Sequence, residues 1–425
     1  MSRRFWSKTL FAGAVALAAV AAAAAQTPTR DDPFPELLGT RRWGPFLVVP
    51  RFTLDNIGYD DNVFLYSQAD PRPKETDYIL RMGPEVRAQM PIGHRLALTI
   101  HDKLAGEVFA RHSSLNHADN NFDGQFDALI GPALFTVGGT WNSYRWRPSS
   151  EIVERVREND VRVWQTARLF LSPRTDLSFT ASTTRYRYNS ELPYYLLVGD
   201  EWTRATIDEA LDRDQKDRTA EIGWRIRPRT RLFAQYLDRD SDFRHTVGGE
   251  SRNAAERRRA LGVEFSASSK LSGRLLAGTS KLEPKDASLG LRPFDGTVVS
   301  SELRYRPNGW TRVTATAERA PIFSVFERNL YYVDTYRGLG VDAYLGAFWG
   351  VQAGYSLRDS KYPEISPTIH APRDDRTKDS YVGALFRLKN GFEIGLRVGR
   401  RKRDSNLPTA VDDQRYVTTS GTYAF

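Results

Sequence analysis

The sequence contains no cysteine and only 3 methionines in 425 residues, and it has no long apolar run after its N-terminus. The lack of cysteine excludes disulfides, thiolate metal sites and cysteine nucleophiles. A bundle of transmembrane helices is excluded, because each helix needs a run of about 20 apolar residues. A disordered chain is excluded because 40% of the residues are hydrophobic and 12% are aromatic. The net charge of +9 would suggest a nucleic-acid partner for a cytoplasmic protein, but the N-terminus predicts another compartment and no nucleic-acid partner.

The first 25 residues have the features of a secretory signal peptide. Basic residues occur within the first eight positions, residues 10–24 are apolar and rich in alanine, and small residues precede Gln26. This pattern predicts cleavage between Ala25 and Gln26, with a retained anchor as the alternative. We therefore expect export in a Gram-negative bacterium, with a signal peptide at 1–25, a periplasmic segment at 26–44 and a membrane domain at 45–425.

Most of the remaining chain alternates between apolar and polar residues with a period of two. In one such segment, Ile222 and Trp224 fall on one face, whereas Glu221 and Arg225 fall on the other. Because successive side chains of a strand point to opposite faces, each segment predicts a β-strand with two different faces. Short turns and longer polar stretches alternate between the segments, which is typical of outer-membrane barrels. The longer stretches are residues 59–76, 111–118, 147–158, 190–216, 244–255, 284–295, 320–329, 362–376 and 404–412.

The predicted fold is all-β, a transmembrane antiparallel up-and-down β-barrel with about 18 strands (16–18). An even number of strands places both termini in the periplasm, as the export route requires. The alternative is a soluble β protein, which would bury its apolar face against a second sheet. Here the opposite face carries full charges in strand after strand, which suits apolar side chains facing lipid and charged ones lining a wet lumen.

Aromatic residues lie near both ends of the predicted strands, which suits two girdles at the membrane interfaces. The group at the short turns comprises Trp310, Phe348, Trp349 and Phe392. The group near the long loops comprises Trp141, Tyr144, Trp146, Tyr186, Tyr188 and Tyr362. The chain ends in Phe425, with Tyr423 two positions earlier, and this ending resembles the C-terminal signal of barrels that the outer-membrane assembly machinery inserts.

A short motif, Gly58-Tyr59-Asp60-Asp61-Asn62-Val63-Phe64, follows the first predicted strand. It resembles the opening strand of a family of porin-like outer-membrane β-barrels that is associated with exopolysaccharide and capsule export. Members of that family typically have an aromatic-Asp-Asp-Asn-Val-aromatic run soon after the signal peptide. The resemblance implies a barrel that passes or supports the export of an extracellular polysaccharide, together with other export components of the cell envelope.

Strand parity predicts which charged side chains point into the lumen. They are Arg168, Glu221, Arg225, Arg227, Glu264, Glu302, Arg304, Arg312, Glu318, Arg387, Glu393 and Arg397. Arginines on such a wall can present paired donors to carboxylates, phosphates or sugar hydroxyls. Neighbouring arginine and glutamate side chains can equally brace the lumen without selecting a solute, and the sequence leaves both interpretations open.

Other candidate sites have weaker patterns. The start of a calcium loop is matched by Asp119, Asn121, Asp123 and Gly124. Ile130 occupies the position of the bidentate glutamate, however, so this segment favours a strand. His112 and His117 share a predicted outer loop without the motif of a metal site. No metal and no cofactor are expected.

The predicted function is export or secretion of an extracellular polysaccharide, as a channel or a channel-associated component. The alternative is a general or anion-preferring diffusion porin for small solutes. The sequence has no nucleophile elbow, so an enzyme is not expected and no catalytic residue is assigned. Expected partners are outer-membrane lipid and lipopolysaccharide, whose phosphates the basic residues 400–403 could bind, the assembly machinery and polysaccharide export components.

Overall fold

The structure, a computed structural model, describes residues 28, 34, 41–189, 193–198, 201–247, 250–266, 270–287, 290–325, 329–366, 368–388 and 392–424. Its long antiparallel strands are numbered β1 to β18. Their bounds are β1 Phe46–Asp60, β2 Asp77–Ile92, β3 Leu96–Phe109, β4 His117–Ile130, β5 Ala133–Trp146, β6 Val156–Phe170, β7 Thr175–Asn189, β8 Arg213–Arg227, β9 Thr230–Phe243, β10 Ala254–Phe265, β11 Leu271–Pro284, β12 Phe294–Tyr305, β13 Thr311–Phe323, β14 Tyr331–Tyr344, β15 Trp349–Ser366, β16 Ala371–Arg387, β17 Glu393–Ser405 and β18 Asp412–Ala424. The predicted signal peptide with its cleavage site, and Phe425, lie outside the described residues.

The sheet closes into a barrel because its first and last strands pair with each other. β1 pairs with β2 along one edge and with β18 along the other, where a bulge shifts the register between Leu54 and Ile57. Beyond the end of β18, the short strand Arg41–Trp43 pairs with the start of β1 and extends this edge. A closed antiparallel barrel of 18 strands confirms the predicted fold class.

Short and long connections alternate around the barrel, as the sequence predicts. The first and last barrel residues, Phe46 and Ala424, lie at the end that carries the short turns. The opposite end carries the longer connections, which include the paired strands Pro193–Val198 and Glu201–Thr206 and the helix α1, Ile207–Leu211. The other short elements at this end are the 3-10 turns Ser113–Leu115 and Pro408–Ala410 and the paired strands Thr246–Val247 and Glu250–Ser251.

One predicted long loop, residues 362–376, is mostly strand. β15 and β16 together cover all of it except residues 367–370. Packing explains the difference, because the buried ring of Tyr362 stacks on Tyr332 with 5.1 Å between the ring centroids. The guanidinium of Arg373 also lies over the Tyr362 ring, 4.9 Å from the ring centroid. These interactions extend the hairpin at a place where the polar sequence predicts a loop.

The outer face of the barrel wall is apolar, and its inner face is charged. Ile222, Trp224 and Val398 are about half exposed on the outer face, at 51%, 53% and 53%. The alternate side chain Glu221 is buried and points inward. Apolar surface of this extent on a closed sheet is suited to contact with lipid, so the alternative of a soluble β protein is wrong. None of the described helices has the length and apolar character needed to cross a membrane.

The aromatic residues near the long loops differ from the predicted girdle. Trp141 is exposed on the outer face, as predicted. The residues that point into the barrel instead are Tyr144, Trp146, Tyr186, Tyr188 and Tyr362. Glu158 accepts hydrogen bonds from the Trp146 indole at 2.6 Å and from the Tyr188 hydroxyl at 3.0 Å. Their positions along the strands are those of a girdle, but the alternation of each strand places these rings inside the barrel. At the opposite end Trp310, Phe348 and Trp349 are exposed at the short turns.

Candidate functional site

A network around Arg231 of β9 holds the inner wall near the short turns. The guanidinium donates to both carboxylate oxygens of Asp176, at 3.0 and 2.6 Å. It also lies 2.8 Å from Glu221 and 3.5 Å from Glu264, and Arg274 forms a further short contact with Glu264. Arg231 is only 3% exposed, because strands β7, β8 and β10 direct their carboxylates toward it. The network brings two of the predicted lumen residues, Glu221 and Glu264, into contact with one cation.

Most of the other predicted lumen residues are also paired with neighbours on the inner wall. The pairs are Arg168–Asp176 at 3.9 Å, Arg312–Asp342 at 2.6 Å, Arg387–Glu393 at 3.5 Å, Arg397–Gln352 at 2.7 Å and the short Glu302–Arg304 contact. Arg225 donates to the carbonyl of Pro28 at 3.1 Å, and Glu318 is partly buried on β13. Arg227 does not fit the prediction, because the register shifts after Arg225 and leaves Arg227 exposed beside the turn.

A second network on the inner wall, around Arg81 of β2, was not predicted. The Arg81 guanidinium lies 2.6 Å from Glu107, 2.6 Å from Asp119 and 3.6 Å from Asp55. Lys103 pairs with Asp55 at 2.7 Å. The alternation of charged residues in β2 and β3 could have indicated these side chains. The bulge in β1 interrupts the pattern at the strand that carries Asp55, so parity alone does not assign it.

The connection between β5 and β6, residues 147–155, folds into the barrel, and we call it the inner loop. Arg147 donates to the carbonyl of Val63 at 2.7 Å, next to the end of β1. The carbonyl of Ser150 accepts a hydrogen bond from Arg403 of β17. The inner loop thus bridges parts of the wall that are far apart in the sequence, and it narrows the lumen at the long-loop end.

Glu151 fixes the tip of the inner loop to the segment between β13 and β14. Its carboxylate accepts a hydrogen bond from the hydroxyl of Ser324 and one from the backbone N–H of Val325, the latter at 2.8 Å. Burial raises the pKa of Glu151, although these hydrogen bonds oppose the shift. Burial also lowers the pKa of Arg147 to about 9, with a further contribution from the nearby Arg155. Ser149 and Ile152 of the inner loop are buried as well.

Helix α1 packs against the inner loop at the same mouth of the barrel. It begins at a capping box, in which Glu209 accepts the backbone N–H of Thr206 at 2.8 Å. A buried apolar cluster joins α1 to the inner loop and the wall, with members Ile152, Val156, Tyr186, Tyr188, Ile207, Ala210, Leu211 and Val325. A cavity of about 70 Å³ remains beside this cluster, and its lining includes Ser149, Tyr188, Arg213, Arg239 and Phe323.

The seven-residue motif, residues 58–64, begins within the end of β1 and connects the first strand of the barrel to the last. Asp60 accepts a hydrogen bond from the side chain of Gln414 on β18 at 2.6 Å, and Asp61 accepts the backbone N–H of Arg415 at 2.6 Å. Asn62 is fully buried, and its side chain donates to a carbonyl of β18 at 3.3 Å. The polar residues of the motif therefore take part in closing the barrel.

The candidate metal positions have structural partners. The segment that matches the start of a calcium loop lies within β4, where Asp119 pairs with Arg81. His112 lies between Glu75 and Asp77, at 2.5 and 2.7 Å. Burial lowers the pKa of His112, but the hydrogen bonds to Asp77 and Glu75 outweigh burial and raise it above the usual value. In the described ranges, no group of three or more histidine, aspartate or glutamate residues is arranged to hold a metal ion.

The run of four basic residues in β17 is divided by the alternation of the strand. Arg401 and Arg403 point inward and pair with Asp412, at 3.5 and 2.7 Å. Arg400 and Lys402 point outward, where both are exposed by about half. Only two of the four predicted phosphate ligands therefore lie on the lipid-facing side of the barrel.

The chain matches the family described as "Putative beta-barrel porin 2" over residues 32–420. It belongs to this family. Porins are channels of the outer membrane, so this membership confirms the predicted location in the outer membrane and the prediction that the protein is not an enzyme. No curated protein matches the sequence.

The fold of this β-barrel porin is similar to that of OccK2 (OpdF) from Pseudomonas aeruginosa. The TM-score is 0.50 at 10% sequence identity, and the alignment covers 89% of this chain and 98% of that chain. OccK9 (OpdG) of the same organism aligns with a TM-score of 0.48 and 10% identity, over 89% of this chain and 98% of that chain. OpdK, also from Pseudomonas aeruginosa and solved with vanillate, aligns with a TM-score of 0.49 and 8% identity, over 89% and 99%. At these identities the likeness concerns the fold alone.

Proposed function

We propose that the protein is a diffusion channel for small hydrophilic solutes in the outer membrane. One observation carries the proposal: in a chain of the porin family, a closed barrel presents apolar residues to lipid and a charged wall to its interior. This function is the alternative that the sequence leaves open beside polysaccharide export. In this proposal the short turns and the first and last barrel residues, Phe46 and Ala424, face the periplasm, and the longer connections face the exterior.

We expect the channel to be narrow and to discriminate weakly by charge. The inner loop and α1 narrow the mouth at the long-loop end. Cations of the wall such as Arg231, Arg81 and Arg312 lie within 4 Å of carboxylates. Paired charges present little net field to a passing ion, which supports a general porin more than an anion-preferring one.

Polysaccharide export, the main prediction from the sequence, has less support. It depends on the seven-residue motif, whose Asp60, Asp61 and Asn62 form hydrogen bonds that close the barrel. Neither the description of the family nor the fold carries an association with exopolysaccharide. The expectation of polysaccharide export components as partners therefore remains a prediction from the resemblance.

Single-channel conductance in planar bilayers tests the proposal. The refolded protein is compared with a variant in which residues 149–152 of the inner loop are replaced by glycine, which removes the Glu151 contacts with Ser324 and Val325. We expect small conductance steps for the wild type, larger steps for this variant, and reversal potentials near zero in a potassium chloride gradient for both. A control variant with glycine at the exposed residues 285–287 should behave as the wild type. Absence of conductance in both the wild type and the inner-loop variant would refute the proposal.

A further inference from the structure

The outer face of β16, β17 and β18 places cations directly opposite one another. Lys378 of β16 is the register partner of Lys402 of β17, and Arg400 of β17 is the register partner of Arg415 of β18. Side chains in such positions have Cβ atoms about 4.5–5.5 Å apart, and like charges directly opposite destabilise a sheet. The cations of two adjacent pairs therefore repel each other, and this part of the sheet is stabilised when anions neutralise them. We call these four residues the basic patch.

The aspartates beside the basic patch neutralise only part of its charge. Asp404 lies 2.7 Å from Lys402 and 3.6 Å from Lys378. Asp413 lies 2.8 Å from Arg400. Asp61, whose carboxylate accepts the backbone N–H of Arg415 at 2.6 Å, is a third carboxylate beside the patch, and Lys74 adds a further cation there by donating to the carbonyl of Asp413 at 2.6 Å. Cations thus outnumber carboxylates, and the side chains of the patch remain exposed, by 52% in Arg400 and 43% in Lys402.

The basic patch lies directly beside the apolar belt, toward the long-loop end. Val382, Val398 and Val417 are the last apolar residues on the outer face of β16, β17 and β18. Arg400 and Arg415 follow two positions away from Val398 and Val417, which is about 7 Å along a strand. This distance places the cations at the level where lipid headgroups begin.

Another part of the outer face, at the long-loop ends of β8 and β9, shows a different arrangement. There Lys216 is opposite Asp240, and Arg218 is opposite Asp238. Opposite charges in register stabilise each other, so these cations need no external anion. The contrast shows that exposed charge beyond the apolar belt does not by itself produce the like-charged arrangement of the basic patch.

We propose that the basic patch binds the phosphate groups of lipid A, the phosphorylated glycolipid of the outer leaflet. The acyl chains would lie on the apolar belt below, and the guanidinium group of Arg415 would provide paired donors to phosphate oxygens. Arg400, whose Nε and one Nη donate to Asp413 at 2.8 Å, would add its remaining N–H groups. The proposal depends on the orientation given under the proposed function, in which the long-loop end faces the exterior. It does not depend on whether the lumen conducts.

Binding of lipid A to the refolded protein in detergent micelles, measured by native mass spectrometry, tests this site. The double variant Lys402→Gln/Arg415→Gln removes one cation from each like-charged pair and leaves the contacts of Asp404 with Lys378 and of Asp413 with Arg400. We expect bisphosphorylated lipid A to bind about tenfold more weakly to this variant, because each cation near a lipid surface contributes to binding. Lipid A without phosphates should bind weakly to both proteins, with the same affinity for the wild type and for the double variant.

The matched control is Lys216→Gln/Arg218→Gln, which removes the same number of exposed cations from the complementary surface. It should bind lipid A as the wild type does. Equal weakening by both double variants would show unspecific attraction and would refute the site, as would unchanged binding by Lys402→Gln/Arg415→Gln. Equal binding of phosphatidylglycerol would refute the choice of lipid A. Conductance measured on the same samples separates this result from the proposed function, since a non-conducting barrel that retains the lipid A difference fails only as a channel.

Discussion

Arginines that each contact several carboxylates hold the inner wall of this barrel together. Alternation along single strands predicts that Glu221 and Arg312 face inward, and the structure places both there. Their partners, Arg231 and Asp342, were not predicted, because the register between strands decides which side chains meet. The sequence therefore indicates the charged wall but not that its charges are largely paired. Whether these residues contact a solute stays a prediction.

Replacing Arg231 by methionine should strongly destabilise the barrel. The substitution leaves Asp176, Glu221 and Glu264 close together without the cation that they share. Loss of one partner from a buried ion pair costs about 3 kcal/mol in the free energy of unfolding, which urea unfolding of the refolded barrel in micelles can measure. Arg218→Met, which removes a more exposed pair with Asp238 at 3.1 Å, should cost less than about 0.5 kcal/mol. Similar effects of both substitutions would contradict the buried network.

Strands are the elements that the sequence predicts best, and irregular connections are those that it predicts least. The period of two identifies the strands because one face must suit lipid and the other water. The inner loop has no such pattern, and its position depends on contacts with Val63, Arg403 and Val325, which are distant in the sequence. The hairpin of β15 and β16 likewise extends through a polar stretch because of ring packing around Tyr362.

Tyr362→Ala should loosen the extended part of the hairpin formed by β15 and β16. The substitution removes a ring that is buried between Tyr332 and Arg373, at a cost of about 3 kcal/mol. Hydrogen exchange of residues 359–376 should become faster, while exchange in the half of β15 that is nearer the short turns should not change. Tyr362→Phe keeps the ring and should leave exchange close to that of the wild type. Unchanged exchange in the alanine variant would show that the ring packing does not hold the hairpin.

The whole barrel follows from one feature of the sequence, the alternation of apolar and polar residues in strand after strand. The approximate number of strands, the closure of the sheet and the location in a membrane were predictable. With lipid outside and water inside, a chain of alternating strands can satisfy its backbone hydrogen bonds only as a closed barrel. The substrate was not predictable, because it depends on how the inner loop and α1 shape the mouth. For the same reason the choice between export and diffusion could not be made from a seven-residue motif.

Tyr423→Ser should lower the amount of barrel assembled in cells. Tyr423 is opposite Phe52 across the closing pair of strands and lies 6.1 Å from Phe392 between ring centroids, and it belongs to the predicted C-terminal insertion signal. Assembly is measured as the fraction of outer-membrane protein whose electrophoretic mobility changes on heating. Tyr355→Ser, on the outer face of β15, should leave this fraction unchanged. An equal loss in both variants would show that the tyrosine side chain acts only through general contact with lipid.

The pairing of β1 with β18 has a consequence for biosynthesis. Asp60 is the register partner of Tyr416, and Arg51 is the register partner of Ala424, so the wall is sealed by the first and the last strand of the barrel in chain order. A sheet that lacks β18 has two unpaired edges, at β1 and β17, which can pair with other chains. A message truncated before residue 412 would therefore yield a product that cannot seal, and such products should be held by periplasmic chaperones and degraded there.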